Sequence, residues 1–369
     1  MQATQQQTAR TERRRKAVAL WLWLCLLLVA SIVVIGGLTR LTESGLSIVE
    51  WKPFTGTFPP STEDEWNQEL ESYKTSPQAE KVFPDITVEE FKNIFWLEYV
   101  HRLIARIIGV VFALPLLWFA FSRAITIKKS LQLFSIFLLG GAQGGIGWYM
   151  VQSGLVDDPR VSPYRLALHL GMAFSLFALI LWQAHNFGRK PTPTIGAFML
   201  PPPSNWLKAM ACVTVIAIFF QIVLGAFVAG LDAGLTFNTF PYMDGRLIPA
   251  GLWPNPDAPW YQNLLEDVTT IQFVHRSGAY VLSLLIPAFW IAGRNNPHVA
   301  HLLPILFAIF VVQFLLGVLT LLFRVPIPLA SLHQINALLL FGIGVTIMHR
   351  LFLPLKAIAY DLGTAPAIT

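Results

Sequence analysis

The chain has 369 residues, of which 54% are hydrophobic and only 13% charged, and its mean hydropathy is +0.57. That balance excludes an ordinary soluble enzyme and indicates a membrane protein. The net charge of +5 is carried by alternate loops, so it reports topology and not nucleic-acid binding.

Windows of about 20 apolar residues predict eight spans, at residues 17–36, 103–121, 131–151, 166–182, 207–229, 274–291, 302–322 and 330–348. The first follows the basic run Arg10, Arg13, Arg14, Arg15 and Lys16 and has no convincing small-residue cleavage site. It reads as a retained helix, not a signal peptide. Arg123, Lys128 and Lys129 lie between spans two and three, Arg189, Lys190 and Lys208 flank the fourth connection, Arg294 the sixth, and Arg350 and Lys356 follow span eight. These fall on one side, the cytoplasm or a mitochondrial matrix, and both termini go with them. The first outer loop is acidic, with Glu63, Asp64, Glu65, Glu69, Glu71, Asp85, Glu89 and Glu90. Trp21, Trp23, Trp182, Trp206 and Trp290 near inner ends, and Trp96 and Trp148 near outer ends, suit an aromatic belt. Cys25 and Cys212 both fall inside spans as small packing residues, and there is no CxxC, CxxCH or zinc spacing.

The chain repeats itself. Gly36 to Leu46 aligns with Gly225 to Leu235 without a gap, with Glu43 on Asp232. Glu98-Tyr-Val-His-Arg102 corresponds to Gln272-Phe-Val-His-Arg276, Gln143 and Gly147 to Gln313 and Gly317, and Leu166-Ala-Leu-His-Leu170 to Ala330-Ser-Leu-His-Gln334. Four matches in one order predict an all-α fold of two parallel four-helix bundles related by an axis along the membrane normal. The predicted division is a basic tail over 1–16, an N-terminal half over 17–195, a C-terminal half over 196–353 and a tail over 354–369. The halves join through Pro191, Pro193, Pro201, Pro202 and Pro203. The run Gly140-Gly-Ala-Gln-Gly-Gly-Ile-Gly147 is expected to let backbones approach.

Four of the eight histidines occupy repeated positions: His101 and His169, then His275 and His333. All four begin outward-to-inward helices, at similar depth. A single such histidine is more often a satisfied core or interface residue. Two pairs at matched depth among apolar and aromatic side chains instead suit non-covalent haem ligated on both iron faces. Soft metals fit poorly, because carboxylate, thiolate and methionine partners do not recur beside the histidines. Arg102 and Arg276 follow a ligand each; they either pair with haem propionates or simply snorkel to the interface. His185, His298, His301 and His349 read as structural, without repeat partners. Glu98 stands against Gln272, so only the first half can take a proton there. A carboxylate whose pKa partial burial raises suits proton-coupled oxidation of a substrate. This predicts an active first haem and a supporting second one.

With Gly37-Leu-Thr-Arg-Leu-Thr, Glu98-Tyr-Val-His-Arg, Leu168-His, Val274-His-Arg-Ser-Gly and Leu332-His-Gln, the chain resembles the haem A synthases, from Gly36 to about Arg350. The resemblance implies an oxidoreductase of cytochrome oxidase biogenesis that binds haem O between His101 and His169 and oxidises its C8 methyl to formyl by successive hydroxylations and loss of water. It implies Glu98 as the essential acid and haem b as cofactor between His275 and His333. A haem O synthase as transfer partner, an electron donor and the lipid bilayer are the implied partners, with homo-oligomer formation left open. Many bacterial members carry a cysteine pair in the first outer loop; residues 37–95 here hold none, as in the branch shared by proteobacterial and mitochondrial members. With Glu12 present and no long Arg- and Ser-rich presequence, a bacterial inner membrane is favoured over a mitochondrial one. The rival reading is a dihaem b-type electron-transfer protein, which needs every histidine but not Glu98.

Overall fold

The computed structural model describes residues 2–50, 55–156, 159–188 and 202–353. The expected joint near residue 195, with Arg189, Lys190, Pro191, Pro193 and Pro201, and the tail with Lys356 lie outside the described residues. The fold is all-helical: α1 (Gln2–Leu41), α2 (Glu63–Lys74), α3 (Pro77–Lys81), α4 (Val88–Phe121), α5 (Ile127–Gln152), α6 (Pro163–Gly188), α7 (Asn205–Gly230), α8 (Trp260–Leu265), α9 (Val268–Gly293), α10 (Leu303–Leu322) and α11 (Ile327–Phe352). Among the described residues, eight of these are long and apolar enough to cross a membrane. The chain is a multi-pass membrane protein.

Helix ends follow from local chemistry. Thr87 accepts from the Glu90 amide while the Glu90 carboxylate accepts from the Thr87 N–H, a capping box that starts α4 well outside the expected span. The added turns need an apolar partner, which α2 supplies: Trp66, Leu70 and Tyr73 pack on Phe91, Phe95 and Tyr99 of α4. Composition windows see only the lipid-facing length, so this extension and α2, α3 and α8 were not among the expected elements. The Tyr73 hydroxyl donates to Gln78 Oε1, whose amide donates to the Glu43 carbonyl at 2.7 Å. The outer loop is thereby fastened to the end of α1.

Each set of four spanning helices closes into a ring. α1 packs on α4, α4 on α5, α5 on α6 and α6 back on α1; α7, α9, α10 and α11 repeat the circuit. The rings meet through α6 on α11, and through the equivalent pairs α1 on α11 and α6 on α7. Phe174, Phe177 and Phe341 belong to the one large apolar core that this contact buries.

Two packing expectations change. Trp21 does not sit in an interfacial belt: it is buried, stacks near Phe112 and Phe119, and its indole N–H donates to the Val111 carbonyl at 2.8 Å. A buried indole needs such an acceptor, and the α4 carbonyl at Val111 provides it. In the glycine run of α5, a Cβ on Gly140, Gly141, Gly144 or Gly145 would meet nothing within 4 Å. Only Gly147 makes a close approach, because the others point away from α4 and α6.

Candidate functional site

A histidine on the second or fourth helix of each ring faces a glycine on the helix before it. A methyl placed on Gly147 of α5 would stand 2.9 Å from Cε1 of His169 on α6. The same construction gives 3.2 Å from Gly225 to Cε1 of His275 and 3.0 Å from Gly317 to Cε1 of His333. At Gly36 the nearest atom is instead Nε2 of His101, at 3.0 Å. Four imidazoles therefore seat on four bare patches of backbone, where any side chain would displace the ring. All four stay half-buried although they lie within the helix rings, as groups lining an internal cleft do.

One turn before three of these glycines lies a glutamine. Gln143 Nε2 is 3.2 Å from His169 Nδ1 and donates to the His169 carbonyl at 3.0 Å. Gln221 Nε2 is 3.2 Å from His275 Nδ1 and donates to the His275 carbonyl at 2.7 Å. Gln313 Nε2 is 3.2 Å from His333 Nδ1, and its Oε1 accepts from Asn336 at 2.9 Å. An imidazole held at Nδ1 presents Nε2 to the cleft in a fixed direction.

The expected pairs come together. His101 on α4 and His169 on α6 belong to one helix ring, and His275 on α9 and His333 on α11 to the other. Two imidazoles across one ring interior, each seated on glycine and half-accessible, fit a planar haem bound through both iron faces. Gln143 Oε1 is buried and has no hydrogen-bond partner. A half-turn of that amide would bring an acceptor to Nδ1–H when Nε2 is on iron.

Glu98 is 3% exposed and four donors converge on it. Oε2 accepts from Ser47 Oγ at 2.8 Å and the Ile48 N–H at 2.9 Å, and Oε1 from Arg102 Nε at 3.0 Å and Nη2 at 2.6 Å. Arg102 also donates from Nη2 to the Ile48 carbonyl and from Nη1 to the Glu50 carbonyl. Its role here is to fasten the loop after α1 onto α4, with one Nη1 proton left over. The second half repeats the arginine's bonds to the loop: Arg276 donates to the carbonyls of Phe237 and Thr239 and to Gln272 Oε1, but its Nε has no partner among the described residues, and Gln272 Nε2 donates to the Ala233 carbonyl. Even the backbone kink recurs, with Glu43 and Asp232 both left-handed at φ 56 and φ 52.

Some of this was not expected. Gln221 went unnoticed, though its Gln-x-x-x-Gly spacing to Gly225 matches that of Gln143 and Gln313. His185 and His349 are not without repeat partners: the register that pairs His169 with His333 pairs them with each other. Their rings lie 5.2 Å apart between α6 and α11, with His185 bonded to Thr346 and His349 to Asn186. His298 and His301 are structural, His298 buried and His301 accepting from Arg350.

Comparison with known proteins follows this geometry. The family described as cytochrome oxidase assembly protein (COX15-CtaA) matches residues 19–345. A protein of Nitrosospira multiformis named haem A synthase is 45% identical, covering 91% of this chain and 94% of its own. Proteins of the same name from Sinorhizobium medicae and Rhizobium rhizogenes are 45% and 42% identical, covering 91% and 93% of this chain and 90% and 92% of their own.

Proposed function

This chain belongs to the haem A synthase family of cytochrome oxidase assembly proteins, and from that membership we propose how its residues divide the work. It is a membrane oxidoreductase that makes haem A, and haem O is its substrate. We assign haem O to the first ring, residues 17–195, between His101 and His169, and a resident haem b to the second ring, residues 196–353, between His275 and His333. Haem b would supply one-electron transfer there. The bacterial relatives support a bacterial cytoplasmic membrane, with an electron donor and a haem O synthase as partners.

A methyl carbon becomes a formyl carbon by gaining an oxygen atom and giving up electrons and protons to acceptors, the electrons to the oxidant, so a proton acceptor belongs beside the reacting edge. Glu98 is that group in this reading, lying one helical turn outward of His101. The observation that carries the assignment is its difference from Gln272: the two sit in the same arginine clamp, and only one can take a proton. Arg102 positions the Glu98 carboxylate, and its remaining Nη1 proton is the donor available to a propionate; Arg276 stands likewise in the second ring. Gly147 and Gln143 seat and orient His169, and the helix ring excludes bulk water.

The test is to co-express the chain with a haem O synthase in a host lacking its own haem A, extract the haems and identify them by mass. Wild type should yield haem A or its hydroxylated precursor. Glu98→Gln should yield neither while retaining haem B. Haem A from the variant at wild-type level removes Glu98 from catalysis, and haem A from neither protein overturns the activity assigned to this chain.

A further inference from the structure

Three of the four paired histidines are braced by glutamine, and His101 is not. Its seat is Gly36, and one turn before it α1 carries Ile32, where α5, α7 and α10 carry Gln143, Gln221 and Gln313. Among the described residues the His101 ring makes no hydrogen bond, and it turns Nε2 toward the glycine where the others turn Cε1.

The substitution is matched across the helix pair. Gln221 Oε1 presses on Gly278 of α9, so closely that a Cβ there could not coexist with it. The residue of α4 in the same register as Gly278 is Ile104. Glutamine and glycine in the second ring thus become two isoleucines in the first. By register the two isoleucines stand where the brace and its glycine stand in the second ring.

We propose that Ile32 and Ile104 make His101 the releasable ligand of the first ring. A ligating imidazole whose Nδ1–H is hydrogen-bonded is more basic and fixed in orientation, and loss of such a partner typically weakens metal affinity by about 10- to 100-fold. His169, His275 and His333 each have a glutamine amide 3.2 Å from Nδ1, which accepts from Nδ1–H once its oxygen is turned to the ring; the His101 ring has no such neighbour among the described residues and is held by packing. A resident haem needs two firm ligands. A substrate that must enter and leave needs one that lets go, and the chain has one. The inference rests on the assignment of haem O to the His101–His169 ring. Ile32 and Ile104 are positioning residues in it, since they act through His101.

The test reads ligand release without turnover. Purified protein is loaded with haem B, reduced with dithionite and mixed with carbon monoxide, which binds a six-coordinate ferrous haem only as fast as a histidine leaves. Wild type should show one haem that binds carbon monoxide at least tenfold faster than the other, and His169→Ala, which leaves the first ring at most a five-coordinate haem, should accelerate or remove that fast phase and leave the slow phase unchanged. Ile32→Gln combined with Ile104→Gly should slow the fast phase at least tenfold. The converse pair, Gln221→Ile with Gly278→Ile, introduces no buried polar group and should make the second haem fast. Retention of the slow haem in the first double variant checks that it has folded. An unchanged fast phase in that variant, or a slow phase altered by His169→Ala while the fast phase stays as in wild type, overturns the inference. If the double variant His101→Ala with His169→Ala binds as much haem B as wild type, the first ring is not a haem site and the assignment beneath the inference fails instead.

Discussion

Removing the guanidinium of Arg102 would strip Glu98 of two of its four donors and leave a carboxylate buried without its counter-charge. Breaking such a pair costs about 3 kcal/mol or more. Arg276→Ala removes the same backbone bonds but leaves a neutral amide, so it should cost markedly less. Thermal unfolding of the two variants in detergent measures the difference, and equal losses would mean that the clamp acts through its carbonyl bonds alone. Glycines make a second contrast. Gly147→Ala puts a methyl against His169 and should weaken haem retention by about the 1–3 kcal/mol typical of overpacking. Gly144→Ala, with nothing within 4 Å, should leave haem content unchanged. Haem-to-protein ratios after extended washing decide between these outcomes. The residues proposed for the site were legible as a set because charge, imidazole and glycine recur in register. The brace at Gln221 was legible too, once its spacing to Gly225 is compared with the other two. What sequence alone could not say is that Arg102 spends its donors on Glu98 and the Ile48 and Glu50 carbonyls, because backbone acceptors leave no trace in residue type.

At the scale of elements, the outer loop depends on its caps. Thr62 accepts from the Glu65 amide, and the Glu65 carboxylate accepts from Ser61 and Thr62, so Thr62→Ala should cost α2 about 1 kcal/mol. Those bonds hold the Glu65 carboxyl below its ordinary 4.5. A lowered folded value means that the contribution is complete above 4.5 and is lost as the pH falls below it, through the lower folded value. Protease cleavage within α2 should therefore rise in wild type under acid and should already be raised at neutral pH in Thr62→Ala. An acid response of equal size in Glu65→Gln would show that another group is responsible. The spanning helices themselves announced their positions through hydropathy. Helices α2, α3 and α8 did not, since short amphipathic turns outside the lipid share their composition with loops, and the α4 extension is specified by long-range aromatic packing.

At the scale of the molecule, two closed rings are joined mainly through apolar surface, with a few polar ties. Gln334 donates to the Val33 carbonyl at 2.7 Å and lies so tightly on Gly37 that a Cβ there would collide with it. Arg40 reaches across to the Ala229 carbonyl and to Asp232, at 2.6 Å from the latter. Gly37→Ala should expel the Gln334 amide and lower stability by about 1–3 kcal/mol while leaving the haem content of each ring intact. Melting temperature and haem content measured together separate this from a ligand defect. Repeated motifs made the two halves legible; the ties between them were not, because Arg40 and Gln334 have no like residue at Ala229 and Leu170.

The contact of His185 with His349 has one more consequence. In a symmetric homodimer a residue lying on the two-fold axis meets its own copy, and these two histidines occupy one register position in the two halves. The present bonds are no longer equivalent, one running to Thr346 and the other to Asn186, so the two positions have diverged within a joined chain. The two rings thus meet across a local two-fold that passes between His185 and His349, and the unlike partners of these two imidazoles are where that symmetry is broken at the centre of the molecule.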